Sequence, residues 1–241
     1  MVEAKQRIYL TDGEGPVVFK DLARDISLKR LPSNFFDIAS MWVAHDTEKQ
    51  VHVFEPGDTL VIIVPNLIAH GVTDKDLSIE AASATIATGI KEHLSTLRDV
   101  WKKGIVSSAY VQLWNYCGPL LGIDCANISS TDLNLANIQK QHINGKIKKA
   151  VLDAEEAIAK QNSVIESTIA DFKAGVTLEQ IFQRPEMQPV KDIFEELYFA
   201  TLPRLEFSAI DEVSVIGGTR KVEVVKKIVA EVGVSISEVV Y

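Results

Sequence analysis

Short apolar runs that end at turn residues predict four strands. The first run is RIYLT at Arg7–Thr11, and it stops at the turn-forming sequence DGEGP. The second is IVSS at residues 105–108, and the other two occupy residues 212–216 and 237–241. Runs of β-branched and aliphatic residues bounded by Gly, Pro or Ser are typical of buried strands.

Between these runs the apolar positions recur at helical spacing. Residues 18–70 predict several short helices, because prolines interrupt the pattern at positions 32, 56 and 65. A longer helical region at residues 78–101 is broken near Gly89. Further helices are predicted at residues 110–121, 146–174, 190–199 and 220–232.

Strands that alternate with helices at both ends of the chain predict an α/β fold on a doubly wound parallel sheet with right-handed crossovers. At 241 residues the chain is long enough for this core and a smaller second domain. We expect a core at residues 1–130 and 208–241, with a helical insert at about 18–75, and a helical cap subdomain at 131–207. The alternative is that the helices of 131–207 simply cover the core sheet.

The charge of the chain argues against a nucleic-acid partner. The formal net charge is −8, the isoelectric point is near 5.2, and no long basic cluster occurs. Proteins that bind phosphate backbones concentrate Lys and Arg on one surface. We therefore expect no nucleic acid among the ligands.

Cysteine usage and hydropathy point to a cytoplasmic protein without a membrane span. Cys117 and Cys125 lack the spacing of a zinc site and are too few for a disulfide scaffold, so reduced thiols are expected. The N-terminus has no apolar signal-peptide core. The most apolar stretch, at residues 59–72, is broken by Pro65 and Asn66 and is shorter than the roughly 20 residues that a bilayer requires.

The candidate chemistry begins where the first predicted strand ends. An aspartate there, Asp12, can attack a phosphorus centre and form an aspartyl-phosphate that water later hydrolyses. Glu14 is spaced to protonate the leaving group and then activate that water. Gly13 and Gly15 allow the intervening turn, and free backbone N–H groups there are able to hold phosphate oxygens.

Three stretches occur in an order that resembles the haloacid dehalogenase (HAD) superfamily of phosphatases and phosphotransferases. They are IYLTDGEGPV, IVSSAY and GGTRKVEVVKKIVAEVGVSISEVVY. The first is similar to the family's strand followed by DxDx(T/V), which implies that Asp12 is the nucleophile and Glu14 the acid/base. The second is similar to a strand ending in Ser or Thr, which implies that Ser107, with Ser108 beside it, binds phosphate. The third implies that Lys221 balances the phosphate charge.

The resemblance also implies a Mg²⁺ cofactor, held by the carboxylate of Asp12 and the main-chain carbonyl of Glu14. Glu14 stands where the family has Asp, which adds a methylene. In this family the strand after the lysine helix leads into a fourth, acidic motif with further Mg²⁺ ligands, and the sequence ends at Tyr241, roughly where that strand is expected to end. With Asp12 as the clear carboxylate ligand, we expect Mg²⁺ to bind weakly.

Over nearly the whole chain, the sequence resembles one archaeal branch of the superfamily. The stretches are DGEGPV, EPGDTLVIIVPNLIAHGVT, IVSSAYVQLW and IGGTRKVEVVKKI. Members of that branch are labelled as subunit R of the energy-converting hydrogenase A of methanogens, which implies a hydrogenase-associated protein partner. We also expect a homodimer, because a sheet without the family's downstream strand and helix exposes an edge and apolar surface.

These observations lead to one main hypothesis and two alternatives. The main hypothesis is a HAD-like phosphohydrolase that acts on a small phosphorylated substrate through Asp12. The first alternative is a non-catalytic accessory protein on the same fold. The second is a helical partner-binding module unrelated to phosphatases.

Overall fold

A computed structural model describes residues 7–52, 54–97, 101–141 and 145–240 of the chain. The strands are β1 Arg7–Thr11, β2 Val18–Phe19, β3 Thr85–Ile86, β4 Trp101–Tyr110, β5 Ile128–Thr131 and β6 Val239–Val240. The α-helices of the first half are α1 Leu22–Arg30, α2 Phe35–Lys49, α3 Thr59–Ile62, α4 Val64–Ala69, α5 Asp74–Ala81, α6 Ile90–Thr96 and α7 Val111–Leu121.

The second half of the chain is mostly helical. Its α-helices are α8 Leu135–Gln141, α9 Gly145–Ala159, α10 Asn162–Lys173, α11 Leu178–Phe182, α12 Gln188–Glu195, α13 Leu202–Arg204, α14 Ala209–Glu212 and α15 Gly218–Val232. A π-helical segment, Glu196–Thr201, joins α12 to α13. Single 3₁₀ turns occur at Cys125–Asn127, Pro185–Met187 and Ile236–Glu238.

The central element is a four-stranded sheet of order β5-β4-β1-β6. Every pairing in it is parallel, and β1 runs beside β4 from the Arg7–Trp101 pair to the Thr11–Ile105 pair. Parallel strands need helical crossovers, which explains why helices separate β1, β4, β5 and β6 along the chain. The predicted α/β class with a parallel sheet is therefore confirmed.

The strand predicted at residues 212–216 is wrong. Helix α14 ends at Glu212, and residues 213–217 form neither helix nor strand. Val213 and Val215 are buried in alternation, which produces a strand-like pattern. The backbone N–H of Ile216 donates to Thr131 Oγ1 at 3.3 Å, a side-chain acceptor, so this segment does not extend the sheet.

The region predicted as an interrupted helix at residues 78–101 is more varied than its pattern suggests. It contains the end of α5, all of α6 and, between them, β3, which pairs antiparallel with β2. The predicted break is real, because Gly89 precedes α6 with φ 83°. Residue 101 already belongs to β4.

The chain divides into two units. The core unit comprises residues 1–25, 75–133 and 214–241 and contains the parallel sheet. The helical unit comprises residues 26–74 and 134–213. Residues 26–74 thus group with the later helices, whereas the sequence suggested an insert of the core. The reason is packing between distant segments, since α4 contacts α9 and α2 contacts α11.

The helical unit has its own buried polar network. Tyr198 Oη donates to Asn66 Oδ1 at 2.9 Å, and Asn66 Nδ2 donates to Glu155 Oε1 at 2.7 Å. The other oxygen of Glu155 accepts from His70 Nε2 at 2.6 Å. Burial and the Glu155 charge raise the pKa of Tyr198 well above its ordinary value, so its hydroxyl remains a donor. Buried polar groups that are paired in this way stabilise one specific packing.

The helices of the described residues were compared with the length and hydropathy that a membrane span requires. None of them is long and apolar enough to cross a membrane.

Candidate functional site

Asp12 directly follows β1, one of the two inner strands of the sheet. Its carboxylate makes two charge-assisted contacts. Oδ1 accepts the backbone N–H of Gly13 at 2.7 Å, and Oδ2 accepts from Lys221 Nζ at 2.6 Å. The side chains are 39% exposed for Asp12 and 22% for Lys221, so both reach the surface of the core unit. Asp12 and Lys221, predicted as nucleophile and phosphate-charge partner, therefore lie together.

Lys221 is delivered by the first turn of α15, which begins at Gly218. The helix packs its apolar stripe on the sheet, with Val229 beside Ile8 and Leu10 of β1. That packing fixes the helix over the strand that ends just before Asp12. The ion pair is a consequence of the helix–sheet contact and of the short segment before the helix.

The turn after Asp12 closes through its own backbone. The carbonyl of Gly13 accepts the N–H groups of Val17 and Val18 at 3.1 and 3.0 Å. Gly15, with φ 90°, donates its N–H to the carbonyl of Val18 at 2.9 Å. The Gly13 N–H is already donated to Asp12. The backbone donors expected to be free for phosphate are thus hydrogen-bonded within the turn.

Gly13 lies directly against the indole of Trp114. A Cβ added at Gly13 would be 1.9 Å from Trp114 Cζ2 and 2.3 Å from Cη2, far inside contact distance. Trp114 sits on α7 and is only 1% exposed. Its indole N–H has no hydrogen-bond partner within the described residues. Any residue larger than glycine would therefore have to displace a buried ring beneath the turn.

The pKa of the Glu14 carboxyl group is strongly raised. Burial, the largest cause, and the nearby charge of Asp21 raise its pKa from 4.5 to about 8. A hydrogen bond from the N–H of Leu22 lowers the pKa, Asp12 raises it, and Lys221 lowers it again. Glu14 is therefore mainly protonated at neutral pH, which is the state that a proton donor needs.

Asp21 occupies the position just before α1 and accepts the N–H of Arg24 at 2.9 Å, as an N-capping residue does. The same helix start supplies the Leu22 N–H to Glu14. Tyr110 is fully buried nearby, and burial with the charges of Asp21 and Glu14 raises its pKa well above the ordinary value. The neutral phenol of Tyr110 and the neutral carboxyl group of Glu14 thus lie near Asp12 and Asp21.

Ser107 and Ser108 lie on β4, the strand next to β1. Because Thr11, the last residue of β1, pairs with Ile105, Ser107 lies two residues past the level where β1 ends. Its hydroxyl is fully buried and accepts the N–H of Ala109 at 3.1 Å. The carbonyl of Ser108 accepts Thr131 Oγ1 at 2.5 Å. The two serines are thus on the strand neighbouring Asp12, and these hydrogen bonds join them to other residues of β4 and β5.

The residues implied as Mg²⁺ ligands form a sparse donor set. Asp12 is a carboxylate that already binds Lys221, and Glu14 offers its main-chain carbonyl while its carboxyl group is protonated below about pH 8. Within the described residues no group of three or more His, Cys, Asp or Glu side chains is arranged to hold a metal. Since Mg²⁺ commonly binds one or two carboxylates together with substrate phosphate, this set fits Mg²⁺ only in company with a phosphate.

The sequence alone did not identify two neighbours of the candidate site, Asp21 and Trp114. Asp21 precedes the apolar pattern of Leu22, Ala23 and Ile26, a start signal that identifies an N-cap. The effect of Asp21 on Glu14 depends on the turn that brings them together, and spacing does not reveal it. Trp114 carries no signal at all, because an aromatic residue in an apolar helix is ordinary core material.

No protein-family model matches the chain, and no curated protein matches it. Among solved structures, its fold is similar to that of gene product AF1437 of Archaeoglobus fulgidus, with a TM-score of 0.63 and 20% sequence identity. The match covers 95% of this chain and 64% of AF1437, so the chain spans less than two thirds of that protein's length. At this identity the similarity concerns the fold alone.

Proposed function

We propose that the protein is a HAD-like phosphohydrolase, which transfers a phosphoryl group from a small phosphate ester to Asp12 and then to water. The observation that carries the proposal is the 2.6 Å contact between Asp12 Oδ2 and Lys221 Nζ beyond the end of β1. A carboxylate placed beyond a parallel strand is where ligands of such sheets bind. The lysine beside it supplies the positive charge that a phosphoryl group requires.

In the first step a carboxylate oxygen of Asp12 attacks phosphorus, and the bond from phosphorus to the ester oxygen breaks. Glu14 gives its proton to that leaving oxygen. The raised pKa of Glu14, about 8, supports this assignment because the group holds a proton at neutral pH. The products of the step are an alcohol, an aspartyl-phosphate and a Glu14 carboxylate.

In the second step water attacks the phosphorus of the aspartyl-phosphate, the bond from phosphorus to the Asp12 oxygen breaks, and the Glu14 carboxylate takes a proton from that water. Free phosphate leaves, and both side chains return to their starting states. Lys221 neutralises charge on the phosphoryl oxygens in both steps, and Ser107 and Ser108 are the proposed phosphate-binding hydroxyls. Mg²⁺, when held by the Asp12 carboxylate and the Glu14 carbonyl with a substrate phosphate, would add further charge neutralisation.

The test is hydrolysis of para-nitrophenyl phosphate by the wild-type protein and by Asp12→Asn, with and without Mg²⁺. Asp132→Asn is the matched control, because Asp132 is an exposed aspartate of the same unit that no step uses. We expect wild type and Asp132→Asn to turn over equally and Asp12→Asn to lose turnover. Equal turnover in all three proteins would overturn the proposal.

A non-catalytic accessory role, for example beside a hydrogenase complex, is the second candidate. It is supported by the hydrogen bonds that the site's polar groups already make within the protein. Both Asp12 oxygens and the N–H groups of Gly13 and Gly15 have such partners. A folded wild-type protein that hydrolyses no phosphate ester would favour this role. Co-purification with the same partner by wild type and Asp12→Asn would support it directly.

A further inference from the structure

The face of the sheet that α15 covers carries an apolar cluster. Ile8 and Leu10 of β1 and Val106 of β4 pack with Val229 of α15. Side chains that are register partners on neighbouring parallel strands point to the same face of the sheet. The pairings of β1 with β4 and of β4 with β5 therefore identify which further residues share this face.

Three such partners are not large aliphatic residues. They are Lys102 opposite Ile8, Gly104 opposite Leu10, and Ser129 opposite Val106. The inner faces of parallel sheets normally carry large aliphatic side chains. Leu10 Cδ2 and the Asn127 carbonyl already close over Gly104, where an added Cβ would lie 3.0 and 2.7 Å from them. The lysine and the serine leave a polar depression on β4 and β5 where a packed core is expected.

A cavity of about 380 Å³ occupies this depression. Lys102, Gly104 and Ser129 line it from the sheet, and Lys227 and Glu231 line it from α15. Its volume lies at the lower end of the range for small-molecule sites. The cavity lies within the core unit, and neither Asp12 nor Lys221 lines it.

The charges of the lining favour an anion. The side chains of Lys102 and Lys227 form no ion pair or hydrogen bond within the described residues. Among the described residues that line the cavity Glu231 is the one acid, so the lining carries a single net positive charge. Apolar side chains, including Leu10, complete the wall. A single positive charge beside an apolar wall complements a monoanion with an apolar body.

We propose that this cavity is a second binding site, which takes a small amphipathic monoanion whose charged group lies between Lys102 and Lys227. The apolar part of the ligand packs on the sheet residues that the helix leaves uncovered. This site is independent of the hydrolysis assigned to Asp12. Because the ligand contacts both α15 and the sheet, binding stabilises the folded core unit.

The test is calorimetric titration of the full chain with octanoate, with octyl phosphate and octanol as comparison ligands. Octanoate should bind more tightly than octanol, because the alcohol lacks the charge, and more tightly than the phosphate, because Glu231 opposes a second negative charge. Lys102→Gln and Lys227→Gln should each weaken octanoate binding about tenfold, the effect of losing one modest charge contact. Lys103→Gln and Lys226→Gln are the matched controls and should bind as wild type does, since neither lysine lines the cavity.

A cavity-filling variant, Ser129→Leu, gives a second measurement that does not depend on a lysine. It should abolish octanoate binding while the melting temperature of the free protein stays equal or rises. Equal octanoate affinity in wild type, Lys102→Gln and Lys227→Gln would overturn the proposal. So would binding that disappears as the protein self-associates, which would assign the cavity to a second copy of the chain.

Discussion

Lys221 Nζ lies 2.6 Å from Asp12 Oδ2 although 209 positions separate the two residues in the sequence. The contact exists because α15 packs on the strand that ends just before Asp12. A surface lysine would gain little from such a position, since exposed ion pairs contribute about 0–1 kcal/mol to stability. In the proposed mechanism this contact places the lysine charge beside the nucleophile.

Removal of the Lys221 charge should affect turnover much more than folding. Lys221→Gln is expected to lower the hydrolysis rate of para-nitrophenyl phosphate by roughly 100-fold or more, as loss of one transition-state charge contact does. The free energy of unfolding should change by about 1 kcal/mol or less. Lys226→Gln on the same helix is the control. A Lys221→Gln enzyme with wild-type rate would show that the ion pair has no catalytic role.

A methyl group at Gly13 should disrupt the turn that carries both acids. Gly13→Ala places a Cβ 1.9 Å from Trp114 Cζ2, so the ring or the turn has to move. Overpacking of this kind costs about 1–3 kcal/mol, and chemical denaturation measures it.

Two further variants separate this clash from a general effect of the substitution. Gly145→Ala adds the same methyl group where nothing lies within 4 Å, and it should leave stability nearly unchanged. Trp114→Phe in the Gly13→Ala background should recover part of the lost stability, because the smaller ring vacates the space. Additive losses in the double variant would contradict the steric explanation.

The pKa of Glu14 predicts how stability depends on pH. The folded protein holds the Glu14 proton up to about pH 8, whereas the unfolded chain releases it near 4.5. Between these values the folded state binds the extra proton, so this group's contribution to stability is fully present below pH 4.5 and declines as pH rises to 8. Glu14→Gln should remove that decline. Parallel pH-stability curves for both proteins would show an ordinary Glu14 pKa.

The negative charge of Asp21 should account for part of the raised pKa of Glu14. Asp21→Asn removes a negative charge that raises the Glu14 pKa, and it preserves an N-capping side chain for α1. The basic limb of the pH–rate profile should therefore move to lower pH, while stability at low pH stays close to wild type. Unchanged pH–rate profiles would show that Asp21 does not influence Glu14.

The buried network of the helical unit makes its own prediction. Tyr198→Phe leaves Asn66 Oδ1 without the donor now at 2.9 Å, which should destabilise the protein by about 1–3 kcal/mol. Tyr116→Phe is the control, because Tyr116 is 38% exposed. Thermal unfolding of both variants measures the difference. Equal melting temperatures would mean that water satisfies Asn66 as well as Tyr198 does.

The parts of the fold that depend on local pattern could be predicted from the sequence. β1 and the turn after it were recognisable because an apolar run stops at DGEGP, and α15 because apolar residues recur at helical spacing before Gly233. Asp12 and Lys221 followed from those two elements and from the family resemblance. Their contact could be expected, since both lie at ends of elements that a parallel sheet brings together.

The remaining features depend on contacts between distant segments, which periodicity does not contain. The grouping of residues 26–74 with 134–213 results from pairings such as α4 with α9. The buried alternation of Val213 and Val215 imitates a strand that has no partner. The polar depression beneath α15 becomes visible only when the strand register places Lys102 beside Ile8.

The most direct test of Asp12 as the nucleophile is mass spectrometry of the protein after acid quench during turnover of para-nitrophenyl phosphate. We expect one phosphoryl group on the peptide that contains Asp12, and conversion of that residue to homoserine after borohydride reduction. Asp12→Asn should carry neither modification. Turnover by the wild-type protein without phosphoryl on Asp12, or with phosphoryl on another residue, would contradict the assignment of Asp12 as the nucleophile.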